Sequence, residues 1–282
     1  MVPTVYWNGQ LRVATEVGLS VADQGFLLGQ GAFETLRAYD GRIFRLRAHL
    51  SRLFSTLGWL GVAIPESPDG LATACRDVLA ANALRDARIR ITVSAGPQAD
   101  WVPEPSRQPS RLIQAGPLEA PAAEAYRQGI ATMTYALARG PGPITGRKST
   151  SFLGYVLARR AAREAGAYEA LLVGPDQELV EGALSNLFLV REGRVLTPPL
   201  STGPLAGITR QVVLELLPSL GIDGGEASLH LADLPGASEA FVTSSVVEVL
   251  PVISVDGRLV GAGRPGPTTL RILEAYGVLT RS

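Results

Sequence analysis

Residues 146–173 read GRKSTSFLGYVLARRAAREAGAYEALLV, and three kinds of segment meet in them. The chain leaves a Gly/Pro loop (RGPGPITGRK, 139–148), enters a helical stretch over 151–166, and passes into a strand-like apolar run, EALLVG, at 169–174. A helix followed at once by an apolar strand is a building unit of mixed α/β and α+β folds. The loop ends on Lys148, the single lysine of a 282-residue chain whose 26 basic residues are otherwise all arginine.

Working outward, strands and helices intersperse on both sides. TVYW and QLRVA flank Asn8-Gly9, a two-residue hairpin turn. Leu46, Leu50, Leu53, Leu57 and Leu60 recur at helical spacing and predict a helix over 45–60, with a second over 70–84. ARIRITVS (87–94) alternates Ile89, Ile91 and Val93, a strand with one polar face, and RLIQA (111–115) is another. GPLEAPAAEAYRQG (116–129) is rich in Ala and Pro and breaks the strand pattern, so a linker is expected there. This divides the chain into a small domain (1–117), a linker (118–128) and a larger domain (129–282). The larger part continues with a strand at 130–138, two strands within 179–199, and a helix over 207–221 closed by Gly221. EAFVTSSVVEVLPV (239–252) follows, then a hairpin turn at Asp256-Gly257 and a last helix from about Thr268. The expected class is α/β or α+β, in two domains.

Composition narrows the chemistry. The chain is 46% hydrophobic and has 26 acidic and 26 basic residues, so neither nucleic acid nor an anionic membrane is an expected partner. Two histidines, His49 and His230, and one cysteine, Cys75, argue against a zinc site, and no metal is expected. The same scarcity weakens a Ser-His-Asp or Cys-His hydrolase, and His49, on the helix over 45–60, reads as structural. A lone cysteine forms no internal disulfide, and neither a signal pattern nor a membrane-length apolar run is present, so a cytoplasmic protein is expected.

A codon or thermal bias explains arginine wherever either charge serves. It does not explain Lys148. Arginine cannot replace lysine where a neutral amine must form a covalent bond, because its pKa is too high and its nitrogens are delocalised. Lys148 is therefore a candidate Schiff-base nucleophile. Its usual partner on amine substrates is pyridoxal phosphate (PLP), which needs an anion cradle and a partner for its pyridine nitrogen. Gly207 and Ile208 precede a helix opening at about Thr209, a helix N-terminus suited to phosphate. Thr243, Ser244 and Ser245 supply hydroxyls at a strand end, Arg52 a bidentate donor, and Glu181 a carboxylate between apolar residues. Taken singly, these also read as an ordinary capped helix, a hydroxyl-rich turn, a solvated arginine and a turn glutamate.

Taken in order, SVADQGFLLGQGAFETLR, HLSRL, RKSTSFLGYVLARRAAREAGAYEALLV, ELVEGALSNLFLV, LAGITR and FVTSSVVEVLPV resemble the class IV aminotransferases, the fold-type IV PLP enzymes. That family includes branched-chain aminotransferase, D-amino acid transaminase, (R)-selective amine transaminases and 4-amino-4-deoxychorismate lyase. The resemblance implies a small N-terminal α/β domain, a larger C-terminal domain with a pseudo-barrel sheet, PLP between them, and a homodimer whose active site borrows residues from the partner. It assigns Lys148 to the covalent bond with PLP and to proton transfer, and Glu181 to the pyridine nitrogen. It assigns Arg52, Ile208, Thr209, Ser244 and Ser245 to the phosphate.

The chain departs from each subgroup. Branched-chain enzymes read FEGIR where this chain has Phe33-Glu34-Thr35-Leu36-Arg37, and carry a tyrosine five residues after the lysine where this chain has Leu153. D-amino acid transaminases and the lyase carry an RG pair where Ala95-Gly96 stands. The resemblance thus implies a transaminase passing an amino group from an amino acid or amine to a 2-oxo acid. Pyruvate elimination from aminodeoxychorismate is the alternative, and a non-catalytic PLP-binding homologue a second one. Backbone N–H groups at Ser245 and Val246, as in branched-chain enzymes, or an arginine from elsewhere, are expected to hold a substrate carboxylate. Tyr6, Phe26, Phe33, Trp101 and the segment 141–146 are expected to shape the pocket.

Overall fold

A computed structural model of the chain describes residues 2–98, 108–137, 142 and 144–281. Its contacts group into two compact units, Met1–Glu119 with Arg147–Phe152, and Ala120–Gly146 with Leu153–Ser282.

The first unit opens with a hairpin, β1 (Thr4–Trp7) and β2 (Gln10–Val13). Asn8 and Gly9 turn it with φ of 47° and 100°, the left-handed pair that a tight two-residue turn demands. There follow α1 (Gln24–Leu28), β3 (Gly31–Tyr39), β4 (Arg42–Ile43), α2 (Leu46–Leu60), α3 (Pro68–Ala81), β5 (Ala87–Ser94) and β6 (Ser110–Pro117). The strands form one antiparallel sheet in the order β2-β1-β6-β5-β3-β4. Leu50, Leu53 and Leu57 of α2 and Leu71, Cys75 and Val78 of α3 bury against Leu36, Ile89, Ile91 and Ile113 of the sheet. Gly61, at φ 70°, closes α2 with its N–H on the Leu57 and Gly58 carbonyls. Ser67 caps α3 by accepting from the Gly70 N–H, and Pro68 occupies the first turn.

The second unit holds α4 (Ala123–Gln128), β7 (Ile130–Ala136), α5 (Leu153–Glu164), β8 (Glu169–Val173), β9 (Leu179–Gly182), β10 (Asn186–Arg191) and β11 (Arg194–Thr197). After them come α6 (Ile208–Ser219), β12 (Gly224–Glu226), β13 (Glu239–Ser244), β14 (Glu248–Val255), β15 (Arg258–Leu259) and α7 (Pro267–Arg281). The sheet runs β12-β11-β10-β13-β14-β7-β8-β9, with β15 on β14, and it curls enough to bring β9 near β10. Pairing is parallel at β14–β7, β7–β8 and β11–β12 and antiparallel elsewhere. Every residue of β8 is buried, which is why EALLV reads as a continuous apolar run.

The segment 239–252 divides at a turn over 245–247 into two antiparallel strands, which sets the Thr243, Ser244 and Ser245 hydroxyls at a strand end as read from the sequence. Two readings change. Gly31–Tyr39, not assigned to a strand from the sequence, is β3, an inner strand of the first sheet. The Ala/Pro stretch is not bare linker: Ala123–Gln128 folds as α4, and the Tyr126 hydroxyl donates to the Val247 carbonyl at 3.2 Å.

Candidate active site

In the first unit, Lys148 is held by an edge-to-edge docking of Arg147–Phe152 on β3. The Phe33 N–H donates to the Lys148 carbonyl at 2.9 Å, and the Thr150 N–H to the Gly31 carbonyl at 2.8 Å. The Thr150 and Ser151 hydroxyls both donate to the Gly29 carbonyl, at 2.8 and 3.1 Å. Gly31 permits this approach, because a Cβ there would lie 2.6 Å from the Val93 carbonyl oxygen and 2.9 Å from Thr150 Oγ1. Lys148 Nζ sits 4.8 Å from the centre of the Phe33 ring, and the Arg90 guanidinium lies 3.9 Å from the same ring centre. Phe33 is itself buried and meets Phe152 edge-on at 5.3 Å.

Arg52, the expected phosphate arginine, projects from α2 into a buried network. Its Nε and Nη2 both donate to Glu34 on β3, each at 2.7 Å, one to each carboxylate oxygen. His49, one turn earlier, places Nδ1 2.7 Å from Glu34 Oε2. Burial works to raise the Glu34 carboxyl, but the charge and hydrogen bonds of Arg52, with the hydrogen bond of His49, outweigh it and hold the group at about 2. Burial pushes His49 down despite its glutamate partner, so it is the neutral imidazole, donating through Nδ1–H to an ionised acceptor. The bidentate fork fixes the plane of the Arg52 guanidinium.

In the second unit, Glu181 lies buried on β9, paired across to Leu172 of β8. Its Oε1 accepts from the Tyr155 hydroxyl at 3.0 Å and its Oε2 from the Leu205 N–H at 2.9 Å. The Asn186 amide donates to the Leu205 carbonyl at 2.8 Å and so orders the same loop. A Cβ on Gly207 would collide with Asn186 Oδ1, which requires glycine there. Gly207 is then the N-cap of α6, and no side chain caps that helix, whose opening residues Ile208 and Thr209 are both buried. The Thr209 hydroxyl lies 3.5 Å from that of Tyr276. Ser244 ends β13, its Oγ accepting from the Val247 N–H at 3.3 Å, and Ser245 and Val246 form the turn into β14. A helix N-terminus without a side-chain cap and a hydroxyl-bearing turn are donors of the kind a phosphate takes. A buried carboxylate held by two neutral donors suits a protonated ring nitrogen. The residues present therefore fit PLP.

Sequence reasoning missed the partners of these residues. Glu34, Tyr155 and Asn186 carry no signal beyond a polar residue inside an apolar stretch, and Leu205 acts through its backbone. Tyr6 belongs to the first unit's core, its hydroxyl donating to Glu66 at 2.8 Å, and burial, then Glu66, push it up to about 12. Phe26 is 69% exposed on α1. Ala95 is buried, so no arginine is presented from that position. Trp101, Pro141 and Pro143 lie outside the described residues. Among the described residues no cluster of His, Cys, Asp and Glu could hold a metal ion, and no helix is long and apolar enough to cross a membrane.

Comparison with known proteins places this geometry. Residues 31–255 match the family model for amino-transferase class IV. The chain is 34% identical over 281 residues to a branched-chain-amino-acid aminotransferase of Salmonella typhimurium, covering 96% of this chain and 91% of that protein. It is 30% identical over 280 residues to a D-alanine aminotransferase of Bacillus licheniformis, covering 96% and 95%. The crystal structure of the Escherichia coli branched-chain amino acid aminotransferase superposes with a TM-score of 0.93 at 33% identity, over 99% of this chain and 95% of that one.

Proposed function

This chain belongs to the class IV aminotransferases, PLP-dependent transferases, and we propose that it moves the amino group of an aliphatic α-amino acid to a 2-oxo acid in a ping-pong exchange. The observation that carries the proposal is Lys148, the sole lysine, docked on β3 with its amine over Phe33. The aliphatic donor is supported by the two relatives named above and by Ala95, which offers no cation to a second carboxylate.

Bound PLP would supply an aldehyde for covalent capture of the amine and a ring that spreads the charge left when the substrate Cα loses its proton. The protein supplies the rest. Lys148 Nζ would hold the cofactor at its aldehyde carbon and, once freed, would serve as the base and acid that moves the substrate Cα proton. Arg52, held flat by Glu34, would be the phosphate donor of the first unit, and the opening of α6 at Ile208 and Thr209 with Ser244 and Ser245 that of the second. Glu181 would hold the pyridine nitrogen. Phe33 lines the substrate site, and the N–H groups at Ser245 and Val246 receive the substrate carboxylate. The protein acts as a homodimer in the cytoplasm, a reading supported by the family resemblance and by the buried free thiol of Cys75. A second copy would cover exposed apolar side chains such as Phe26 and Leu27 of α1.

The test is a donor panel of L-amino acids, D-amino acids and (R)-amines with 2-oxoglutarate, run beside aminodeoxychorismate. Transfer from aliphatic amino acids is expected. Pyruvate release from aminodeoxychorismate without any transfer would replace the transaminase by a lyase. Lys148→Ala is expected to abolish the visible absorbance of the lysine-bound cofactor and to lower transfer by at least about 10³-fold. Survival of both rules out the proposed role of Lys148.

A further inference from the structure

We infer that Tyr155 is a positioning residue for Glu181, fixing the carboxylate that faces the pyridine nitrogen; this rests on the reading of Glu181 proposed above. Tyr155 stands in the first turn of α5 and packs against the small apolar cluster of Ala158, Ala162, Ala170, Leu172 and Ala183. Residues 155, 158 and 162 share one helical face, so the ring is anchored on the side of α5 turned to the sheet. From there its hydroxyl reaches Glu181 Oε1 at 3.0 Å.

This phenol is not the tyrosine of the branched-chain pattern moved along the chain. That position is Leu153, whose side chain is 69% exposed. Two residues at about 100° each separate Leu153 and Tyr155 by roughly 200° around the helix, on opposite faces. The phenol that this chain places on α5 therefore serves the carboxylate.

The arrangement has a chemical consequence. A neutral donor on each oxygen orients Glu181 without cancelling its charge, and that charge is what retains a proton on the ring nitrogen. When the Tyr155 hydroxyl is removed, the carboxylate loses one donor and competes more strongly for that proton. A bound pyridine ring would then be neutral for more of the time and take up charge less well. Tyr155 thus tunes the cofactor through Glu181.

The experiment compares the PLP-loaded wild type with Tyr155→Phe, Glu181→Gln and the double variant. The visible absorbance is titrated against pH, and kcat and KM are measured. Borohydride trapping, read by mass spectrometry at Lys148, checks the covalent bond. Tyr155→Phe keeps the packed ring, so trapping and melting temperature should match wild type. Its absorbance midpoint should move in the same direction as that of Glu181→Gln, and kcat should fall roughly tenfold with KM changed less than about twofold. In the Glu181→Gln background the same substitution should add nothing. A wild-type midpoint and kcat in Tyr155→Phe overturns the inference, as does a full additional effect in the double variant. If Tyr155→Phe melts well below wild type, the double variant decides alone, because a merely structural tyrosine would act equally in both backgrounds. Failure to trap cofactor at Lys148 in the wild type instead overturns the reading of the site itself.

Discussion

Glu34→Gln isolates the charge at the centre of the first unit. The substitution keeps the side-chain shape, and its amide oxygen still accepts from Arg52. The amide NH₂ faces His49, whose neutral ring accepts once its proton moves to the other nitrogen. What disappears is the negative charge beside a largely buried guanidinium, together with the Arg52 Nη2 hydrogen bond to Oε2. The wild-type carboxyl is held at about 2 against an ordinary 4.5, because Arg52 and His49 outweigh the burial that acts to raise it. At 1.36 kcal/mol per tenfold in proton affinity, the depression corresponds to about 3 kcal/mol of stability at neutral pH. Removing one partner of a buried pair costs about 3–5 kcal/mol, and the retained hydrogen bonds place glutamine at the lower end. The expected fall in melting temperature is roughly 6–12 °C for a chain of this size. The sign with pH is fixed: a depressed carboxyl contributes fully above about 4.5 and loses that contribution as pH falls toward 2. Melts of wild type and Glu34→Gln should therefore differ most at pH 7 and by roughly half as much or less at pH 3. A difference under about 1 kcal/mol at pH 7, or an unchanged gap at pH 3, refutes the reasoning.

Gly31→Ala forces a methyl to within 2.6 Å of the Val93 carbonyl, so a loss of about 1–3 kcal/mol is expected, with faster hydrogen exchange at the Phe33 and Thr150 amides that dock the lysine segment. Wild-type exchange at both amides would show that the glycine is not needed for the docking. Cys75 is fully buried and its thiol is pushed up to about 12 by burial, so a thiol reagent at pH 8 should leave the folded protein unlabelled and react once per chain in guanidinium. Labelling of the folded protein within minutes contradicts that burial.

The elements legible from spacing were those whose side chains follow a simple rule. Ile89, Ile91 and Val93 alternate and bury along β5, and the leucines of α2 recur each turn and bury as a stripe. The strand without that regularity, β3, breaks the rule at Glu34. Its inward positions are Ala32, Glu34, Leu36 and Ala38, and the carboxylate among them hides the alternation. Glu34 tolerates burial only because Arg52 and His49 arrive from another element, and no local pattern contains that information. Tyr155 and Leu205 were hidden for a related reason: their contacts with Glu181 span 26 and 24 residues of sequence.

The contrast between Arg147 and Lys148 gains a physical form. Arg147 presents its guanidinium 5.6 Å from the Trp59 ring centre and within 3.5 Å of the Ser55 hydroxyl, contacts that a flat, permanently charged group makes well. Lys148, the next residue, points its amine at Phe33 from a backbone pinned by β3. Stacking and hydrogen bonding reward the guanidinium at the first position. At the second, the proposed bond to an aldehyde carbon requires a nitrogen that can shed a proton and become the nucleophile. A pressure that favoured arginine elsewhere would meet no resistance at 147 and would destroy the chemistry at 148. By this argument Lys148→Arg must fail as completely as Lys148→Ala, although the charge is kept.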